Sequence, residues 1–201
     1  MNTPRHSALV RITHWLTAIS FAGLLVSGIA ILLAYPRLHW GETGAVGAPS
    51  LIDLPLPFVF GPSGWGRSLH FLSAWVAVLT GALYVSRGVL TRHFTTHFVR
   101  TYNVLQRLAY TCVVFVLFPL MIWSGLAMSP AITSVIPAAV TLLGGQQSAR
   151  TIHFVVALVL VLFLAGHVLM VFLAGFTSTM RAMIVGRPRA TGPWGPASAG
   201  P

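Results

Sequence analysis

Acidic residues are almost missing from this chain of 201 residues: only Glu42 and Asp53 carry a carboxylate side chain. Proton relays through membranes usually include Asp or Glu, and neither acid falls in an apolar run. Cysteine is nearly absent as well. Cys112 stands alone, which excludes an intramolecular disulfide, a covalent c-type haem attachment and a cysteine-ligated iron–sulfur cluster within the chain. Charge of either sign is scarce, at 7% of residues, where a soluble domain carries about 25%. The chain is therefore an integral membrane protein, one domain over residues 1–187. Lysine is absent, and all 12 cations are arginines. They are scattered among apolar segments and form no basic stripe or tail, which argues against nucleic-acid binding.

What fills the space is hydrocarbon, with 56% of residues hydrophobic. Four runs, about 10–34, 67–90, 103–128 and 150–176, reach the roughly 20 residues needed to span a bilayer. The expected fold is an all-α, four-helix transmembrane bundle embedded in lipid. The first run is too long for a signal-peptide core and lacks a convincing cleavage site, so it reads as a retained helix. Gly23, Gly28, Gly81, Gly125 and Gly166 interrupt the runs, where glycine permits close approach of a neighbour or a flat ligand. Pro119 is expected to kink the third helix. The first connection, 35–66, is long and rich in Pro and Gly; in the third, Ile132 to Leu143 is too short to span and is expected in the interface. Residues 188–201, rich in Pro, Gly and Ala, read as a disordered cytoplasmic tail. Nine arginines lie on the side of the termini and the second connection, against Arg37, Arg67 and Arg150 on the other, which puts both termini in the cytoplasm.

One pattern, Arg-x-x-His-(Trp/Phe)-x-x-Ala, opens three of these runs: at Arg11–His14–Trp15–Ala18, Arg67–His70–Phe71–Ala74 and Arg150–His153–Phe154–Ala157. Histidine is costly in hydrocarbon and marks function there. With the expected topology, His14 lies near the inner face, and His70 and His153 near the outer. His167 follows His153 by fourteen residues, which is about 21 Å deeper and only about 40° around the same helix. The four sort into an inner pair, His14 and His167, and an outer pair, His70 and His153. Two imidazoles facing across a bundle form a bis-histidine haem site, and two stacked haems make an electron path through the bilayer. A non-haem metal would want more ligands at one level. Arg11, Arg67 and Arg150, one turn nearer the water on the same faces, are candidates for haem propionates. Gly28, fourteen residues after His14, faces inward at the outer level, where it would make room for a macrocycle. His6, His39, His93 and His97 fall in loops or at helix edges and read as ordinary solvated residues.

These residues resemble the bacterial di-haem cytochrome b subunits of formate dehydrogenase, nickel–iron hydrogenase and thiosulfate reductase. The resemblance is carried by Arg11-Ile12-Thr13-His14-Trp15, His70, the His153–His167 spacing, and Tyr102-Asn103-x-x-Gln106-Arg107, over residues 5–187. It implies two b haems ligated by the four histidines, and a quinone as substrate beside the inner haem. Asn103 matches a quinone-site position of the formate enzyme's subunit. Gln106 and Arg107 supply further polar groups at that end of the third helix. The long first loop, with Tyr35-Pro36-Arg37-Leu38-His39-Trp40-Gly41 and Gly61-Pro62-Ser63-Gly64-Trp65-Gly66, resembles that of relatives that serve periplasmic molybdopterin oxidoreductases. The function expected is electron transfer in the bacterial inner membrane between the quinone pool and a periplasmic oxidoreductase partner. Two alternatives stand beside it. One is a self-contained oxidase of a small species such as superoxide that reduces quinone. The other is a haem-free membrane anchor or transporter subunit.

Overall fold

The computed structural model describes residues 7–44, 48–56, 64–91 and 104–186. Its helices α1 (Ala8–Ala34) and α2 (Gly64–Leu90) form the first two spans. The third is composite: α3 (Val104–Cys112), a π-helical turn (Val113–Leu117) and α4 (Phe118–Ala127). Two one-turn helices, α5 (Pro130–Thr133) and α6 (Ala138–Thr141), lead to the fourth span, α7 (Gln146–Leu173). A further helix, α8 (Phe176–Val185), follows it. In the first connection a two-residue β1 (Arg37–Leu38) pairs antiparallel with β2 (Ile52–Asp53). The protein is an all-α bundle of four membrane-crossing helices, as the apolar runs predict.

The bundle is built from two tight helix pairs, α1 with α2 and α4 with α7. Lipid is as apolar as leucine, so close packing of small residues drives helix association in a membrane. The first seam follows this rule with a period of seven: Thr13, Ser20 and Ser27 are buried on α1, and Gly66, Ser73 and Thr80 on α2. Thr17 and Thr80 bring their hydroxyls to 3.3 Å. Gly23 allows the close approach here: a Cβ would lie 2.5 Å from Ser73 Oγ, which would have to turn away. Gly81 and Gly166 meet no neighbour within 4 Å, so the expected close approach is confined to other glycines. The second seam buries Ser124, Ala127, Ala149, Val156 and Leu160. Large apolar side chains such as Ile19, Leu79 and Leu162 point outward, as lipid-facing residues do.

Pro119 acts through a change of helix type. As the second residue of α4 it has no N–H for the carbonyl four residues back. The helix widens just before it, and Phe118 N bonds to Val113 O across a π turn. The fourth span ends at Leu173, short of the expected 176, because Gly175 adopts φ +95° and redirects the chain into α8. The 132–143 stretch is tied to α4 by Trp123 Nε1 donating to Ala139 O at 2.9 Å. It leaves Val135, Ile136 and Leu142 exposed, consistent with an interfacial position. The tail expected over 188–201 lies outside the described residues.

Residues 35–44 of the first connection form a cap on α7. Gly41 O accepts from the N–H groups of Gln147 and Ser148 at 3.0 and 3.3 Å, and Gly41 N donates to Ser148 Oγ at 2.8 Å. These bonds satisfy helix N-terminal donors that have no partner within the helix. His39 corrects the expectation of a solvated residue: it is 2% exposed. Its Nε2 lies 3.0 Å from Tyr35 Oη and its Nδ1 3.3 Å from Pro49 O, while Thr151 Oγ1 donates to its carbonyl at 2.7 Å. His6, His93 and His97 lie outside the described residues.

Candidate functional site

The three Arg-x-x-His copies occupy equivalent places in their helices. His14 and His70 each sit six residues after the first residue of the helix, and His153 seven. That depth is about 9–10 Å along the axis. Helices α2 and α7 start on the same side, so His70 and His153 share a level near that side, and His14 lies near the other. Going down α7, His167 reaches the level of His14. The sorting made from spacing is realised: the His14 and His167 rings lie 6.4 Å apart between centroids, and those of His70 and His153 6.2 Å apart.

Each histidine of the His70–His153 pair is held by a serine that the sequence reading missed. Ser27 Oγ lies 3.0 Å from His70 Nδ1, and Ser124 Oγ lies 3.1 Å from His153 Nδ1. Each serine is followed by a glycine against the same ring: a Cβ on Gly28 would sit 3.6 Å from His70 Cε1, and one on Gly125 3.4 Å from His153 Cε1. Gly28 thus lies at the level of His70, as its spacing from His14 predicts. The available signal was the Ser-Gly dipeptide recurring in two spans. At the other level, Phe163 stacks on His167 at 6.2 Å, Tyr110 meets Phe163 edge-on at 5.7 Å, and Trp15 meets His14 edge-on at 5.4 Å.

The arginines of the pattern differ in what they touch. Arg11 Nη1 donates to Ile184 O at 2.9 Å and Trp15 Nε1 to Met183 O at 3.2 Å, clipping α8 to the start of α1. Arg11 Nε is buried and has no hydrogen-bond partner. Arg150 donates from Nη1 to Arg37 O at 3.0 Å and from Nη2 to Tyr35 O, and its guanidinium lies 5.2 Å from the Tyr35 ring centre. It thus anchors the cap on α7. Arg67 is exposed one turn before His70. Gln106 and Arg107 lie one turn before Tyr110 on α3, the helix whose ring contact leads to Phe163 and His167. Arg107 Nε is buried without a hydrogen-bond partner among the described residues. Asn103 lies outside the described residues. No cluster of three or more His, Cys, Asp or Glu suited to a bare metal ion occurs among the described residues.

A membrane bundle that turns histidines inward in facing pairs has the build of a membrane cytochrome. Comparison with known proteins agrees: the chain belongs to the prokaryotic cytochrome b561 family, which it matches over residues 5–186. It is similar to an Azospira oryzae protein whose name assigns it as the protein-methionine-sulfoxide reductase subunit YedZ1. The two are 30% identical over 213 residues, covering 90% of this chain and 96% of that protein. No solved structure matches the chain. The protein is thus a multi-pass inner-membrane electron-transfer subunit of a haem b-binding family.

Proposed function

We propose that the chain carries electrons across the inner membrane between the quinone pool and a periplasmic oxidoreductase, using two b haems. His14 and His167 would hold one, and His70 and His153 the other. The observation that carries this reading is the repeated ring separation of 6.4 and 6.2 Å. A ligating imidazole nitrogen lies about 2 Å from its metal and about 1.2 Å from its own ring centre, so two on opposite sides of one ion put the centres roughly 6.4 Å apart. Both pairs fit that spacing. A haem held between either pair of imidazoles would supply one-electron transfer there.

The remaining residues take supporting parts. Arg67 at the outer level and Arg11 at the inner receive propionates. Arg150, spent largely on the carbonyls of Tyr35 and Arg37, contributes there mainly by fixing the cap over the outer pair. Asn103, Gln106 and Arg107 offer hydrogen bonds to a quinone carbonyl near the inner pair. The nine-to-three arginine bias puts both termini in the cytoplasm, which makes the His70–His153 level periplasmic. By likeness to the Azospira oryzae protein, the partner there is a protein-methionine-sulfoxide reductase.

Reconstitution in vesicles tests this. With reductant sealed inside with a quinone, and a membrane-impermeant acceptor outside, the wild type should reduce the acceptor. His14→Ala and His70→Ala should each abolish transfer. Equal transfer by either variant would overturn the two-haem path.

A further inference from the structure

We propose that Ser27 and Ser124 are positioning residues that fix the tautomer of the two outer histidines and lower the reduction potential of the haem between them. The proposal rests on the reading that this pair ligates haem. A serine hydroxyl has one proton to give. Ser27 Oγ lies 2.6 Å from Gly23 O, and Ser124 Oγ 2.8 Å from Leu120 O. Carbonyls cannot donate, so two oxygens that close require the hydroxyl proton between them. Each hydroxyl oxygen then faces the imidazole with lone pairs only, and His70 Nδ1–H and His153 Nδ1–H must be the donors. This leaves Nε2 of each ring as the unprotonated nitrogen, the one able to ligate iron.

The device is built twice from different helices. Helix α1 supplies Ser27 to His70 of α2, and α4 supplies Ser124 to His153 of α7. Both serines are 0% exposed, so water does not compete for the ring nitrogens. Gly28 and Gly125 follow them, and a Cβ at either would sit in van der Waals contact with the ring. A hydrogen bond accepted from the far nitrogen raises the basicity of a ligating imidazole and fixes its orientation. A more basic ligand favours the oxidised iron, hence the lower potential.

Redox titration of the visible α band of the purified, haem-loaded protein tests this, with haem counted by the pyridine haemochrome method. His70→Ala identifies the outer wave as the one it removes. Ser27→Ala and Ser124→Ala should each move that same wave to higher potential, by about two- to tenfold in its oxidation equilibrium, and leave the other wave in place. Alanine is smaller than serine and a better helix former, so the fold is not the variable. Ser27→Thr and Ser124→Thr, which keep the hydroxyl, should leave the wave near its wild-type position. Loss of the outer haem in the alanine variants with retention in the threonine variants supports the same role. An unmoved wave, an equal shift of both waves, or haem loss from threonine and alanine variants alike would overturn it. Wild type without two haems would instead refute the underlying two-haem reading.

Discussion

Replacing Gly145 with alanine should loosen the cap on α7 and with it the start of the helix that carries two of the four histidines. Gly145 has φ +108° and ψ 170°, a region essentially reserved for glycine, where another residue costs about 1–3 kcal/mol. The added Cβ would also lie 2.5 Å from Gly41 O and 2.8 Å from Glu42 N, both backbone atoms with no rotamer to retreat into. Relief means moving the 41–42 strand of the loop away. That movement breaks the bonds from Gln147 N and Ser148 N to Gly41 O and from Gly41 N to Ser148 Oγ, each worth about 0.5–1.5 kcal/mol. The expected loss is roughly 2.5–7.5 kcal/mol. Equilibrium unfolding in mixed micelles with increasing SDS would measure it. Gly41→Ala is the internal control. Gly41 also has positive φ, but its Cβ would meet nothing within 4 Å, so only the conformational cost of about 1–2 kcal/mol applies. Equal effects of the two substitutions would refute the argument, because the backbone collision distinguishes them.

Other expectations follow from single contacts. Thr151→Val keeps the shape of the side chain but strands the buried His39 carbonyl, and should cost about 1–3 kcal/mol in the same unfolding assay; a change below about 0.5 kcal/mol would contradict this. Asp53→Asn should change stability by less than about 0.5 kcal/mol, since its pair with Arg37 spans 3.4 Å with both side chains more than half exposed. Trp15→Phe removes the bond to Met183 O and should raise amide exchange across Phe176–Val185 by about two- to tenfold, with α2 unchanged. Unaltered exchange in α8 would mean that the tryptophan does not hold it.

The histidine pairs were legible in the sequence because their logic is one-dimensional. Arg-x-x-His marks a fixed depth in each helix, and fourteen residues on one helix return to the same face. The four spans were legible for the same reason: an apolar run of sufficient length has few other uses. The serines at the rings were hidden. Serine in a membrane helix commonly bonds its own carbonyl four residues back, and Ser27 and Ser124 do so. Only the neighbouring helix reveals the second partner. His39 was misjudged because its burial depends on Tyr35, Pro49 and the distant Thr151, a juxtaposition that no periodicity encodes. Pro119 announced a disturbance of the third span, and the π turn just before it is not encoded in any periodicity of the sequence.

Pairing of the four histidines around two haems fixes the cofactor count. A dithionite-reduced-minus-oxidised visible spectrum of the purified protein, with pyridine haemochrome quantitation, should give two b haems per chain. His14→Ala and His70→Ala should each lower that number to one. A folded, haem-supplied preparation with one haem or none would contradict the pairing of the four histidines.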